Sequence, residues 1–186
     1  MTSAPAVKEF TERKRAEAVL LKRETVVLDK NDVGALSSRG FGMVEAGKLK
    51  LATYETLFLL DKGFIEVKQK RPKKTLSFKD VLETFRASDS NVWAKYLIYR
   101  DLRSRGYVVR DGFGLGVDFR LYERGEYGKD AAEYIVYGVQ EGKPVAMTEL
   151  AKVLKFALSA KKKLILAVLN RRGEVVYYSL SKLMMR

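Results

Sequence analysis

The stretch whose reading decides the fold is Gly112–Val139, GFGLGVDFRLYERGEYGKDAAEYIVYGV. Its glycines predict a tight turn before a strand that ends at Tyr122. The alternation Val117, Phe119, Leu121 puts apolar side chains on one face, as a half-buried strand requires. Glu123-Arg124-Gly125 then turns the chain at the mouth of a sheet, and the next strand region opens near Ala131 and runs on from Glu133. A tyrosine is thereby left at one strand end, close to the start of the next.

Working outward, Val92–Arg105 reads as a helix with Trp93, Leu97 and Leu102 toward a core, closed by Gly106. Tyr107–Arg110 begins a strand. Downstream, Thr148 is expected to cap a helix through Leu158, and Leu164–Leu169 and Val175–Leu180 are expected as strands joined by Asn170–Glu174. The second half thus predicts the order α-β-β-β-α-β-β, a mixed sheet with helices against it. The last strand, near the chain end and carrying Tyr177 and Tyr178, is a candidate edge that invites pairing with a partner.

The first half is less regular. Residues 6–23 are dense in charge and read as a fraying helix or an extended arm leading into the β-rich Glu24–Leu28. Asn31–Ser38 predicts a helix, Lys48–Leu51 a strand, Ala52–Asp61 a helix stopped by Gly63, and Phe64–Val67 a strand. The run Lys68–Lys74 (KQKRPKK) is either a phosphate-contacting loop or, more commonly, a solvated turn. Ser77 with Asp80 three residues on makes part of a capping box for Phe78–Ala87. Ala87–Asn91 is the expected boundary between two small α/β (α+β) domains, residues 1–87 and 88–186.

Composition narrows the chemistry. The 186 residues include 36 Lys+Arg against 23 Asp+Glu, a formal charge of +13, and neither cysteine nor histidine. Residues 91–186 carry 18 basic and 10 acidic side chains, so the second half is the more basic. Such an excess favours a polyanionic partner through phosphate neutralisation, with a lysine-rich solvated surface as the bland alternative. Thiolate and imidazole metal sites are excluded, and no acidic cluster has suitable spacing for a metal. No apolar run approaches the roughly 20 residues of a membrane span, so a cytoplasmic protein acting away from membranes is the expectation.

RNA can be cut without metal when the ribose 2′-OH attacks its own phosphate. The reaction needs a base for the 2′ proton, an acid for the 5′ oxygen and a cation for the phosphorane. Tyr122, the position of Ala131 and a lysine of Ser159–Lys163 (SAKKK) meet at one end of the sheet if their strands are neighbours. Taken singly, each has an ordinary explanation: a half-buried strand-end tyrosine, and lysines that complement a helix dipole.

Taken together, the residues resemble the tRNA-splicing endonuclease family, specifically its archaeal catalytic subunit. The matching pieces are Tyr99–Tyr107 (YRDLRSRGY), Gly114–Tyr122 (GLGVDFRLY), Ala132–Val136 (AEYIV) and Ser159–Val168 (SAKKKLILAV), with Arg39–Gly42 and Tyr54–Gly63 upstream. The resemblance is colinear over nearly the whole chain. It implies a restriction-endonuclease-like C-terminal nuclease domain and a metal-independent, cofactor-free ribonuclease. Its substrate would be precursor tRNA, cut at bulge–helix–bulge exon–intron junctions to leave 2′,3′-cyclic phosphate and 5′-OH ends.

By that resemblance the base is Tyr122 and the phosphorane-stabilising cation Lys162, a one-residue slip to Lys161 or Lys163 being open. The acid is a histidine three residues before a tyrosine, and here that pattern reads Ala131-Ala132-Glu133-Tyr134. The copy is therefore expected to be silenced at Ala131, by deliberate removal of the imidazole or, alternatively, because it is a non-catalytic structural and RNA-binding subunit of the same assembly. Lys155 stands where a base-stacking arginine is expected, with Lys161 and Lys163 as further RNA contacts. The family's self-assembling members dock an acidic loop into a neighbour. The matching turn Asn170–Glu174 (NRRGE) is basic, which implies a heterotetramer with a second, structural subunit. A basic DNA-cleaving module built on Asp118 is the weaker alternative, because no Glu-X-Lys follows on the next strand.

Overall fold

The computed structural model describes residues 15–22, 24–71, 74–114 and 116–181. Residues 6–14 and Arg23 of the charged arm, Pro72 and Lys73 of the basic run, and Leu115 lie outside them. The chain divides into two compact units, Met1–Ser90 and Asn91–Arg186, each with its own sheet.

The first unit holds strands β1 (Ala16–Leu21), β2 (Glu24–Val27), β3 (Met43–Glu45), β4 (Lys48–Leu51), β5 (Ile65–Gln69) and β6 (Lys74–Thr75). They form one sheet in the order β3-β4-β2-β1-β5-β6. Residues 16–21 are thus a strand and not a fraying helix. Ala16, Ala18 and Leu20 alternate into the core, and the period of two wins over the surrounding charge. Three helices accompany the sheet: α1 (Lys30–Ser37), α2 (Thr53–Asp61) and α3 (Phe78–Arg86). The Asp29 side chain caps α1 by accepting from the Asn31 and Asp32 N–H groups. Ser77 and Asp80 close the expected capping box on α3, whose Val81 and Phe85, one turn apart, are fully buried.

Glu55 of α2 is a carboxylate 3% exposed. It accepts from the Gly42 N–H at 3.1 Å and the Ala52 N–H at 2.9 Å, so its charge is met by the two backbone donors that the turn and the helix start leave over. Gly42 is confined to glycine because a Cβ there would meet Leu49 and the Lys50 carbonyl at 2.7 Å, at a φ of +61°.

The second unit has helix α4 (Val92–Ser104), strands β7 (Val108–Gly114), β8 (Val117–Tyr122) and β9 (Tyr134–Gln140), helix α5 (Met147–Ser159), and strands β10 (Lys163–Leu169) and β11 (Val175–Leu180). This is the predicted element order. The sheet runs β11-β10-β9-β8-β7, with β9 and β10 parallel and the other pairs antiparallel. The parallel pair is the one that a crossover helix, α5, must connect.

Ile135, Tyr137 and Leu164 pack with Val153 and Ala157 of α5. Tyr99 of α4 meets Phe119 of β8 with ring centroids 6.1 Å apart. β11 is an edge strand, and Val176 and Tyr178 on it are exposed.

Three local expectations change. β7 runs through Gly112 to Gly114, where a turn had been expected, because Gly112 faces the Val117 carbonyl so closely that a Cβ would sit 2.0 Å from it. The cap of α5 is the backbone of Ala146 and not the Thr148 side chain. Trp93 is half-buried, and Tyr96, Ile98 and Tyr99 carry the core face of α4 together with Leu97 and Leu102.

Candidate functional site at the end of the C-terminal sheet

β8 ends at Tyr122, which pairs with Val108 of β7. One residue earlier, Leu121 pairs with Tyr134 and its carbonyl also accepts from the Glu133 N–H at 3.2 Å. Tyr122 therefore runs alongside Ala132–Glu133. Between these two edges the loop 123–130 folds on itself: the Glu126 N–H reaches the Glu123 carbonyl, and the Asp130 N–H reaches the Glu126 carbonyl. Tyr127 of this loop lays its ring edge-on to Tyr122, with centroids 5.2 Å apart at 85°. Arg110 sits 5.9 Å from the Tyr127 centroid. The sequence reading missed Tyr127. It is the sole aromatic in an otherwise polar loop, which was the signal available.

On the other side of β9, α5 ends in an ordered C-cap. Ala160 is the cap, Lys161 has φ +55°, and the Lys161 and Lys162 N–H groups return to the Leu158 and Ala157 carbonyls at 3.0 and 2.9 Å. This is a Schellman motif with lysine where glycine is usual. The left-handed residue stops the helix and delivers Lys162 to the head of β10. The Lys162 ammonium donates to the Ala132 carbonyl at 2.5 Å, so the cation stands beside Ala131. Ala131 itself is exposed, whereas Ala132 is buried.

The three lysines of the run are thus told apart. Lys163 pairs with Glu133 at 2.6 Å and lies 5.3 Å from the Tyr134 ring centroid. Hydrogen bonding to Glu133 holds its ammonium above the ordinary lysine value, and the same contact holds the Glu133 carboxyl below its own. Lys161 is exposed, and its backbone N–H closes the turn. Lys155 is exposed on α5, a turn and more before the helix end. In the loop, hydrogen bonding to the Asp130 carboxyl raises Glu126 above the usual carboxylate range.

Tyr122 and Lys162 therefore border one segment, 131–133, from the two strands that flank β9. Adjacent strands are about 4.8 Å apart, so the backbones of β8 and β10 lie about 10 Å apart across β9. Among the described residues, no group of three or more His, Cys, Asp or Glu side chains is arranged to hold a metal ion. Asp118 accepts from the Gly138 N–H at 2.7 Å, which ties its carboxylate to the sheet.

Comparison with known proteins identifies both units. Residues 92–177 match the family model described as tRNA intron endonuclease, catalytic C-terminal domain, and residues 16–82 match the tRNA intron endonuclease N-terminal domain. The tRNA-splicing endonuclease of Methanococcus maripaludis is 34% identical over 171 residues, covering 92% of this chain and 96% of the relative. That of Thermococcus kodakarensis is 35% identical over 151 residues, covering 81% and 88%. That of Pyrococcus furiosus is 33% identical over 141 residues, covering 76% and 80%. With both domains matched in order and relatives aligned over nearly their full length, the chain belongs to the tRNA-splicing endonuclease family.

Proposed function

We propose that this chain is the RNA-cutting subunit of a metal-independent tRNA-splicing endoribonuclease, acting on precursor tRNA at bulge–helix–bulge junctions and silenced at Ala131. The observation that carries the reading is the Lys162 ammonium held against the Ala132 carbonyl, beside Ala131 and across β9 from Tyr122. In the reaction the 2′ oxygen bonds to the adjacent phosphorus and its proton passes to the Tyr122 oxygen acting as phenolate, which becomes the neutral phenol. Lys162 neutralises the phosphorane oxygens, and the bond to the 5′ oxygen breaks. The 5′ oxygen leaves as a hydroxyl only if it gains a proton. A histidine at 131 would supply it; a methyl group has none to give. The products are a 2′,3′-cyclic phosphate and a 5′-OH, and the chemistry needs no cofactor.

Lys155, Lys161 and Lys163 are the proposed RNA contacts around this centre, and the protein acts in the cytoplasm. One further reading is favoured by Ala131 itself: the same fold as a non-catalytic, RNA-binding subunit. The turn between β10 and β11 supports an assembly with a different chain. Arg171 and Arg172 are exposed there, while the one acid, Glu174, accepts from the Asn170 amide at 2.7 Å. An acidic docking loop must then come from a second, structural subunit, giving a heterotetramer of two chains of each kind.

The test restores Ala131→His, adds the structural subunit and assays a bulge–helix–bulge RNA in EDTA. A general acid contributes about 10²–10⁴-fold, so cleavage should rise by that factor over the alanine form. Tyr122→Phe in the restored background should slow cleavage by a comparable factor with RNA affinity unchanged. A restored protein that binds the RNA and stays inert would decide for the non-catalytic subunit.

A further inference from the structure

We infer that the N-terminal unit carries a second contact site for the RNA phosphate backbone, formed by Lys22, Lys70 and Arg71 at one end of its sheet. The inference rests on RNA being the substrate, but not on Ala131 or on cleavage.

Four observations carry it. The strands β1 and β5 run parallel in register, with Leu20 opposite Gln69. The turns that follow them, which hold Lys22 and Lys70–Arg71, therefore emerge side by side. Together they line a groove of about 920 Å³ with Leu20 and Leu21 as its apolar part. Leu21 is 41% exposed there, which suits contact with a sugar or a base face once phosphates sit on the rim.

Lys50 and Lys68 of this sheet are matched by acids. Lys50 lies 2.8 Å from Glu45 and 3.8 Å from Glu24, and Lys68 is bonded to Glu17 and lies 3.7 Å from Glu66. Glu24, the one acid on the groove, is the carboxylate that faces Lys50. Among the described residues Lys22, Lys70 and Arg71 meet no carboxylate. Three like charges gathered without counter-charges repel one another, and a polyanion relieves that repulsion.

The last observation is backbone strain. Leu21 pairs with Glu24, so Lys22 follows β1 directly at the turn of a tight hairpin, and Lys22 has φ +56°. Such loops favour Asn and Gly because a Cβ in the left-handed region costs about 1 kcal/mol. The chain instead keeps a lysine at the tip. Strain retained where a neutral residue would fit better points to a role for the charge.

The test uses the full chain with Ala131 in place, so the RNA stays intact, and a fluorescein-labelled bulge–helix–bulge RNA titrated between 50 and 200 mM KCl. The variant is Lys22→Asn, Lys70→Ser, Arg71→Ser, in which asparagine keeps the left-handed turn. The control is Lys30→Ser, Lys48→Ser, Lys62→Ser, which removes the same charge from exposed positions on the same unit. Each phosphate contact contributes about 0.7–0.9 to the slope of log K against log salt. The variant should be shallower by about 2–3 and weaker by at least about tenfold at 150 mM, with the control within about threefold of the parent. Equal losses in variant and control, or an unchanged slope in the variant, would overturn the site. Should the triple variant fold poorly, Lys22→Asn alone should still cut the slope by about one. Inertness of the Ala131→His enzyme would sink the cleavage reading while leaving this slope to be read on its own.

Discussion

The Tyr177→Phe substitution tests how edge strand β11 is tied to α4. The Tyr177 hydroxyl donates to Asp101 Oδ2 at 2.7 Å, and the same carboxylate takes Arg105 Nε at 2.6 Å. Arg105 also lies 5.1 Å from the Tyr177 ring centroid. A hydrogen bond to an ionised acceptor contributes about 1.5–3 kcal/mol. Phenylalanine keeps the ring, and Asp101 keeps Arg105, so no charge is stranded and the lower end applies, about 1.5 kcal/mol. With a urea slope near 2 kcal/mol/M, the unfolding midpoint should fall by about 0.7 M at pH 8.

The pH dependence makes this specific. Burial first, and the Asp101 bond second, push the Tyr177 hydroxyl far above the ordinary tyrosine range. The folded value lies above the unfolded one, near 10, so the stability it contributes is complete below pH 10 and is lost as pH rises beyond it. By pH 11 the unfolded tyrosine gains about 1.4 kcal/mol from ionising. The gap between parent and variant should therefore close to nearly zero. Tyr137, pushed up to about 12 mainly by burial, titrates in both proteins and cancels. A gap that stays constant from pH 8 to 11, or a variant as stable as the parent at pH 8, would refute the assigned bond.

Two further substitutions probe the backbone. Gly112→Ala places a Cβ 2.0 Å from the Val117 carbonyl oxygen and 2.7 Å from its carbon. Main-chain atoms cannot step aside, so the β7–β8 hairpin must open, at a cost of about 3 kcal/mol in denaturant unfolding. Ala46→Asn acts in the opposite direction: Ala46 has φ +48° in the two-residue loop between Glu45 and Lys48. Asparagine tolerates that conformation, and thermal unfolding should show a gain of about 0.5–1 kcal/mol.

The second unit was legible because its signals are local and concordant. Val117, Phe119 and Leu121 alternate, and Gly106 and Gly173 punctuate, so element order followed directly. β1 was not legible, because the alternating side chains in AEAVLL are mostly alanines and a charged arm precedes them. The burial of Glu55 was also hidden, since its partners are backbone donors brought in by tertiary structure. At the site, sequence placed Tyr122, Ala131 and the lysine run in the same region and favoured Lys162 by resemblance, but residue spacing alone could not rank the three lysines. That ranking depends on a left-handed Lys161 and on the Glu133 ion pair, neither of which leaves a mark in residue spacing. The same holds for Lys22, whose strain is a property of a hairpin register.

The Lys162 ammonium rests on a main-chain oxygen, that of Ala132, and every amino acid supplies that oxygen. The cation's perch is thus indifferent to which side chains occupy 131 and 132, and the Schellman turn behind it is closed by backbone alone. Chemistry and architecture are uncoupled at this spot. In the proposed reaction, a proton donor can be installed or deleted at position 131, by drift or by design, while the ammonium keeps its place on the main chain. An assembly that needs one cutting and one merely holding copy of such a domain can obtain both from a single-residue difference.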